Sequence, residues 1–273
     1  MMSGEVSAED VAKSLGGCDS VLNQYWYTEH TISVLVAAME AHLPAEGGRI
    51  AFMSTPSLFF AISSDIQANS TLLEYDKRWS GRKQFRFFDF NEGAAGLEDL
   101  WGSFDLCVID PPYIDKAVWI KYLAAANELL KPEGDVLCTS IPENKPMLEA
   151  CWQKLERGTH MQSHTFIPVN SGCLHRFAVF TTFPSPSLAV KNDEPVPESQ
   201  GLGQQGSAMT VGEDEGEVDE VDGMFGGLQQ AVISMHLDHN DSDHESEPEE
   251  DCEPEYEFNK KTGMVMKKAG GSG

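Results

Sequence analysis

The sequence lacks the features by which several classes of protein are recognised. None of its six cysteines forms a CxxC pair, so neither a zinc ribbon nor a dense disulfide framework is indicated. Cys107 and Cys138 lie inside apolar runs, where we expect buried, reduced thiols. The chain has no apolar core of signal-peptide length at its N-terminus, and no apolar run approaches the roughly 18 residues that a membrane span needs. We therefore expect a cytoplasmic protein without a membrane anchor.

Basic charge is also scarce. The 273 residues include 44 Asp and Glu against 19 Lys and Arg, which gives a formal net charge of −25. A chain with this charge repels phosphate backbones. As a whole it lacks the cluster of Lys and Arg residues that is typical of a nucleic-acid-binding protein. An acidic surface instead complements a basic protein partner, and this complementarity speeds encounter.

The acidic residues are unevenly distributed along the chain. Residues 191–273 hold 21 of the 44 acidic residues and only five of the 19 basic ones. A segment so rich in Glu, Asp, Ser, Gly and Pro buries too little apolar area to offset the entropy lost on ordering. We therefore predict an N-terminal segment over residues 1–19, a folded domain over residues 20–186 and an acidic, largely disordered tail over residues 187–273.

Within the predicted domain, short apolar runs alternate with helical patterns. Strands are predicted over residues 49–55, 71–76, 85–90, 105–110, 135–140 and 176–182, with residues 164–169 as a weaker seventh strand. Helices are predicted over residues 28–43, 56–67, 117–130 and 144–155, the first beginning at a Thr28 N-cap. Several strands are apolar on both faces, which is typical of a parallel sheet covered by helices on two sides. The pattern predicts an open α/β sheet.

Three carboxylates stand at or near the ends of predicted strands: Asp76, Asp89 and Asp110. Open α/β sheets bind their ligands beyond the carboxyl ends of the strands, so one edge of the sheet is predicted to collect all three. Any one of them could simply begin a turn, as Asp commonly does. Their coincidence, together with the turn that follows Asp110, favours a binding edge.

That turn is Asp110-Pro111-Pro112-Tyr113, and it ends an apolar strand. The prolines offer no N–H group and hold φ at about −65°, so the neighbouring carbonyls point outward in a fixed array. Asp110 adds a carboxylate acceptor, and Tyr113 adds a flat face with a hydroxyl. Acceptors beside a ring make a cradle for an amine or amide nitrogen, whose hydrogens are held while its lone pair is directed elsewhere. A Pro-Pro turn that merely ends a strand is the alternative interpretation.

Five blocks in series carry a resemblance to a known family: NQYWYT at 23–28, GGRIAFMSTPSLFF at 47–60, LEYDKRW at 73–79, FRFFDFN at 85–91 and FDLCVIDPPY at 104–113. The body resembles a class I, S-adenosylmethionine-dependent methyltransferase, and DPPY is similar to the motif of enzymes that methylate amino or amide nitrogens. The blocks together resemble the lysine methyltransferases of translation elongation factor 1-alpha, a family once described as adenine-specific methyltransferases. The resemblance spans residues 20 to about 183 and implies a Rossmann-like, seven-stranded, mostly parallel sheet flanked by helices.

The resemblance also implies roles for individual residues. The catalytic turn would be Asp110, Pro111, Pro112 and Tyr113. The residues that would bind S-adenosylmethionine are Trp26, Tyr27 and Thr28 at the methionine end, the loop residues Ser54, Thr55 and Pro56, Asp76 at the ribose hydroxyls and Asp89 near the adenine amino group. The usual glycine-rich loop after the first strand is absent and MSTPS replaces it, so the backbone must approach the cofactor differently there.

The resemblance implies a protein-lysine methyltransferase that acts on elongation factor 1-alpha, and we expect a monomer. The same cradle would accept the amino group of adenine in RNA or DNA, but the sequence has no Lys/Arg-rich arm or zinc knuckle for such a substrate. A non-catalytic binding scaffold is a third interpretation, which the intact DPPY turn and Asp76 disfavour. No metal site is predicted, because the spacing of His160, His164 and His175 matches no standard site.

Overall fold

The computed structural model describes residues 8–17, 19, 21–170 and 176–195, together with the backbone of residues 256–259 and 264–267. The helices are α1 (Ala8–Leu15), α2 (Glu29–His42), α3 (Pro56–Ala61), α4 (Ser64–Asn69), α5 (Lys116–Leu129) and α6 (Lys145–Lys154). The strands of the main sheet are β1 (Ile50–Met53), β2 (Thr71–Glu74), β3 (Phe85–Phe87), β4 (Phe104–Ile109), β5 (Leu130–Ser140), β6 (Gln162–Ser163) and β7 (Ala178–Thr181).

These seven strands pair in the order β3-β2-β1-β4-β5-β7-β6. Strands β1 to β5 run parallel, whereas β7 pairs antiparallel with both β5 and β6. The predicted seven-stranded, mostly parallel α/β sheet is therefore confirmed. All four residues of β1 are buried, as expected for a strand that is covered on both faces.

The core lies in two layers, one on each face of the sheet. On one face, Phe104 and Cys107 of β4 pack with Trp119 of α5 and Trp152 of α6. On the other face, Phe52 of β1 packs with residues of α2 and α3. The predicted burial of Cys107 and Cys138 is confirmed, and neither is disulfide-bonded.

Two predicted elements are wrong in detail. Residues 164–169 do not form the seventh strand, which is β6 at Gln162–Ser163, and part of this segment bonds to loops instead: the Phe166 N–H donates to Leu188 O at 3.0 Å. The helix predicted over 56–67 is interrupted between α3 and α4, because the backbone of Ile62 and Ser63 is extended. Helix α1 was not predicted.

Three helices begin where a strand or loop reaches the carboxyl edge of the sheet. Thr28 is the N-cap of α2, as predicted, and its Oγ1 accepts from the Thr31 N–H at 3.2 Å. Pro56 begins α3 directly after β1, in a position that suits its fixed φ. Asp115 caps α5 after β4 and accepts from the Val118 N–H at 3.1 Å. These starts place the connecting loops at one edge.

The described chain continues past β7 to residue 195. Leu188 is buried in the core, Asn192 Nδ2 donates to Ile167 O at 2.8 Å, and Glu194 Oε2 accepts from Thr28 Oγ1 at 2.7 Å. Most of the predicted acidic tail lies outside the described residues. None of the helices in the described part of the chain is long and apolar enough to cross a membrane.

The chain divides into two compact units, residues 1–228 and 229–273. In the second unit the structure describes one antiparallel pair, β8 (Tyr256–Asn259) with β9 (Met264–Lys267).

The start of β5 is held by a glycine and an arginine. A Cβ atom on Gly134 would lie 2.9 Å from the Phe104 carbonyl oxygen, closer than real Cβ atoms approach, so β5 needs glycine beside β4. Arg157 donates to the carbonyl oxygens of Lys131 and, at 3.2 Å, of Pro132. It also donates to Asn127 Oδ1 at 3.1 Å. These bonds tie the end of α5 to the beginning of β5.

Replacing Arg157 tests this tie. Arg157→Met should lower the free energy of unfolding by about 2–3 kcal/mol, because partly buried oxygens lose their donors. Arg86→Met is the matched control, since Arg86 pairs with Asp99 at 2.7 Å on the exposed surface and such pairs contribute about 1 kcal/mol or less. Urea denaturation of both variants measures the difference, and equal losses would contradict the role given to Arg157.

Candidate active site

The register of four parallel strands brings one residue from each strand to a common edge. Met53 of β1 pairs with Leu73 of β2 and with Ile109 of β4, and Ile109 pairs with Cys138 of β5. The next residue along each strand therefore lies beside its neighbours across the edge. These four residues are Ser54, Glu74, Asp110 and Thr139.

Asp110 lies in a cluster with two hydroxyl groups. Tyr27 Oη donates to Asp110 Oδ2 at 2.6 Å, and Thr139 Oγ1 donates to Asp110 Oδ1 at 2.8 Å. The two hydroxyl oxygens are themselves 2.6 Å apart. Tyr27 and Thr139 are 5% and 2% exposed, so the cluster is open to solvent chiefly through Asp110, which is partly buried. We call these three side chains the Asp110 cluster.

Burial raises the pKa of Asp110 to about 6, although the hydrogen bonds from Tyr27 and Thr139 act in the opposite direction. The pKa of Tyr27 is raised well above its usual value, first by burial and then by the Asp110 charge. Near neutral pH the carboxyl group of Asp110 is therefore mainly ionised, and the phenol keeps its proton.

The turn that follows Asp110 is fixed from both sides. The Pro112 carbonyl oxygen accepts a hydrogen bond from Asn23 Nδ2, and the Ile114 carbonyl oxygen accepts one from Asn144 Nδ2 at 2.7 Å. Pro111 is buried. Tyr113 is 50% exposed, so its ring is free to contact a ligand at the surface.

Ser54 takes the backbone conformation that glycine usually supplies after such a strand. Its φ is 57°, in the left-handed region, where side chains other than glycine are uncommon. A hydrogen bond of 2.7 Å joins Ser54 Oγ to the Tyr122 hydroxyl of α5 and holds this conformation. Thr55 and Pro56 are buried, so contacts between this loop and a ligand fall mainly to Ser54 and the backbone.

The carboxylate at the end of β2 is Glu74, which the sequence reasoning missed. The predicted strand ran to residue 76 and so placed Asp76 at its end, whereas β2 ends at Glu74. Asp76 caps the following 3₁₀ turn and pairs with Arg78, at 2.5 Å between Oδ2 and Nε. Glu74 is 6% exposed. The available signal was that Glu74 is the first charged residue after the apolar run TLL.

Glu74 is held by one carboxylate oxygen. Its Oε1 accepts from the N–H groups of Tyr75 at 2.9 Å and Asp76 at 3.1 Å. Its Oε2 has no hydrogen-bond partner among the residues that the structure describes. Burial raises the pKa of Glu74 to about 7. A buried carboxylate with a free oxygen is suited to bind hydroxyl or amine donors of a ligand.

The other predicted site residues lie outside the Asp110 cluster. Trp26 Nε1 donates to Gly16 O at 3.2 Å. Thr28, beside Tyr27 in the chain, is occupied by the cap of α2 and by Glu194. Asp89 lies two residues after β3, and its Oδ1 accepts from the Asn91 N–H at 2.9 Å. The structure thus brings Tyr27 to Asp110 but not Trp26, Thr28 or Asp89.

Two exposed aromatic rings lie at the ends of β2 and β3. Tyr75 and Phe87 are 52% and 40% exposed, and their ring centres are 5.3 Å apart. Neither residue was among the predicted site residues. Such rings offer flat faces to a planar ligand. Within the described ranges no group of His, Cys, Asp or Glu is arranged to hold a metal ion.

Comparisons with known proteins match this chain to a family and to named relatives. The model of the family described as "Probable N6-adenine methyltransferase" matches residues 18–185. A protein of Gallus gallus named EEF1A lysine methyltransferase 1 is 39% identical over 148 residues, covering 46% of this chain and 68% of the relative. The protein of the same name from Danio rerio is 33% identical over 126 residues, covering 43% of this chain and 74% of the relative.

Among solved structures, the branched-chain polyamine synthase of Thermus thermophilus is 14% identical, with a TM-score of 0.45. The match covers 63% of this chain and 60% of the synthase.

The buried carboxylate at the end of β2 generates a prediction for stability. Because the pKa of Glu74 rises from 4.5 to about 7 on folding, the folded state binds more protons than the unfolded state between these pH values. The free energy of unfolding should therefore fall as the pH rises through this window. Glu74→Gln should remove that fall and leave the protein about 1–2 kcal/mol more stable than wild type at pH 8.

Thermal and urea denaturation at pH 5 and pH 8 provide the measurement. Glu133→Gln is the control, since it changes an exposed carboxylate. If Glu74→Gln were no more stable than wild type at pH 8, the buried charge would not be the cause.

Proposed function

The chain belongs to the probable N6-adenine methyltransferase family, and we propose that it transfers methyl groups from S-adenosylmethionine to a lysine of translation elongation factor 1-alpha. Relatives named EEF1A lysine methyltransferase 1, at 39% and 33% identity, support lysine rather than adenine as the acceptor. The net charge of −25 also favours a basic protein surface over a phosphate backbone. Since the proposed substrate is a translation factor, we place the reaction in the cytoplasm.

One observation carries the proposal. The turn Asp110-Pro111-Pro112-Tyr113 lies at the same sheet edge as Ser54 and Glu74, on strands that pair directly or through β1. A ligand bound across the ends of β1 and β2 would bring a reactive group beside this turn. Binding at this edge is the rule for open parallel sheets.

The residues at this edge fit S-adenosylmethionine. We propose that Glu74, through its free Oε2, accepts from the ribose hydroxyls, with Asp76 as the alternative. Tyr75 and Phe87 offer faces to the adenine ring, and Asp89 stays our candidate for its amino group. Trp26 and Thr28 fix the segment that presents Tyr27. When bound, the cofactor supplies an electrophilic methyl group on a positively charged sulfur.

The chain's own residues then prepare the acceptor. A lysine side chain has a reference pKa of about 10.4, so it arrives protonated and without a lone pair. Removal from water beside a positive charge lowers that pKa. Asp110 and the carbonyl groups of the proline turn accept hydrogen bonds from the neutral amine and direct its lone pair. Tyr113 packs along the aliphatic stem, and fixed positioning of this kind accounts for much of the rate.

Glu74 and Asp76 are the two candidates for the ribose contact, and cofactor affinity distinguishes them. Glu74→Gln should weaken S-adenosylmethionine binding by about tenfold or more, because an amide replaces a charged acceptor of two hydroxyl groups. Asp76→Asn should change the affinity by less than about threefold, because the Asp76 carboxylate is already occupied by Arg78 and Gln24. Isothermal titration calorimetry measures both. The reverse order of effects would assign the ribose contact to Asp76, as the sequence alone indicates.

The acceptor is tested by incubating the protein with S-adenosylmethionine labelled in its methyl group. We expect label on purified elongation factor 1-alpha and none on total RNA, and the product lysine is identified by peptide mass spectrometry. Asp110→Ala should abolish transfer while the cofactor affinity stays within a few-fold. Label on RNA but not on protein would overturn the proposed acceptor.

A further inference from the structure

The Asp110 cluster has three short oxygen–oxygen contacts but only two hydroxyl protons to form hydrogen bonds across them. Its oxygens approach one another at three places, at 2.6, 2.6 and 2.8 Å. Each approach is at hydrogen-bonding distance, so each needs one proton between its two oxygens. Tyr27 and Thr139 carry one hydroxyl proton each. With Asp110 ionised, two protons are available for three contacts. One pair of oxygens therefore lies at hydrogen-bonding distance with no proton between them.

A third proton completes the ring. If Asp110 is protonated, its O–H donates to Tyr27, the Tyr27 hydroxyl donates to Thr139, and the Thr139 hydroxyl donates to the second oxygen of Asp110. Each oxygen of the ring then accepts one hydrogen bond, except the protonated oxygen of Asp110, which donates one. Closed chains of hydrogen bonds in a buried site strengthen one another. The geometry therefore leaves a place for one proton.

That proton can reach the ring through Asp110. Tyr27 and Thr139 are buried, whereas Asp110 keeps part of its surface exposed, directly before the proline turn. The other titratable groups that face Asp110 are Cys138 of β5 and Tyr122 of α5, and burial raises the pKa of both. Together with Tyr27 they stay neutral at physiological pH. Asp110 is therefore the one group of this set that titrates near neutrality.

We propose that Tyr27, Asp110 and Thr139 act as one proton-accepting unit that takes the proton the acceptor lysine must lose. This inference rests on the proposed function, since an adenine amino group carries no extra proton to give up before attack. Tyr27 and Thr139 are positioning residues, and Asp110 is the group that receives the proton.

The steps balance. The N–H bond of the ammonium breaks and an O–H bond forms on Asp110, which leaves a neutral amine and a neutral carboxyl group. The amine lone pair then forms an N–C bond to the methyl group as the S–C bond breaks, and its electron pair stays on sulfur. The methylated amine carries the positive charge away. Asp110 finally returns its proton to water, so one proton is released for each methyl group transferred.

Thr139→Val and Tyr27→Phe test the unit, since each removes one hydroxyl and keeps most of the side-chain volume. With S-adenosylmethionine saturating, so that Glu74 is already engaged, the pH profile of kcat/KM for the lysine substrate reports ionisation in the enzyme–cofactor complex, and its acid limb should lie near pH 6 in the wild type. Each variant should move this limb about one pH unit upward, because the hydrogen bond that the ionised carboxylate loses is stronger than the neutral contacts that the protonated ring loses. At pH 6 kcat/KM should therefore fall about fivefold relative to wild type, with a much smaller change at pH 9.

The controls separate positioning from folding. Thr139→Ser should restore the limb to within a few tenths of a pH unit. Thr71→Val changes another buried threonine, at the opposite end of the sheet, and should leave the limb in place. Carbon-13 NMR titration of Asp110 reads the same shift without any acceptor present. Should Thr139→Val fail to fold, Tyr27→Phe gives the same test.

The outcomes distinguish this inference from the proposed function. Wild-type protein that transfers no methyl group to lysine would overturn the proposed function, and with it the source of the proton. Wild-type transfer together with an unchanged limb and an unchanged Asp110 titration in both variants would overturn the proton-accepting unit alone.

Discussion

Parallel pairing of β1, β2, β4 and β5 in a single register is the constraint on which the rest of the site depends. Because Met53, Leu73, Ile109 and Cys138 lie side by side, the residues that follow them must also be neighbours. The hydrogen bonds of the sheet fix this arrangement, so it does not depend on the conformation of any loop. Helices on both faces bury the strands, and polar side chains collect at the edge, which is where open sheets of this kind bind their ligands.

The edge carries charges that the fold would be more stable without. Burial raises the pKa of Glu74 to about 7 and that of Asp110 to about 6, which means that ionising either group works against the folded state. Each carboxylate is partly compensated by donors nearby, from backbone N–H groups at Glu74 and from hydroxyls at Asp110. Such perturbed groups at the end of a sheet are typical of sites that handle protons or bind donors.

Much of the fold and part of the site could be predicted from the sequence. Short apolar runs with a polar residue or a breaker at the end identified six strands, and the Thr28 cap and the turn at Asp110 are local patterns that need no partner. Glu74 and Thr139 were missed because strand register, which decides what lies beside Asp110, is a property of pairs of strands. Likewise, the sequence predicts that Tyr27 binds the cofactor. Its hydrogen bond to Asp110 and its contact with Thr139 depend on how the segment before α2 packs against β5, which no local pattern reports. At the break between α3 and α4, Ile62 is fully buried and the Ser63 N–H donates to Glu40 Oε1 at 3.1 Å, and helical periodicity reports neither contact.

A crystal structure of the protein with S-adenosylhomocysteine and a lysine peptide from elongation factor 1-alpha would test the central claim most directly. The account predicts ribose hydroxyls within hydrogen-bonding distance of a carboxylate at the end of β2, and the peptide amine between the cofactor sulfur and the Asp110 turn. A cofactor bound away from the ends of β1 and β2, or an acceptor nitrogen out of reach of Asp110 and its neighbouring carbonyls, would contradict it.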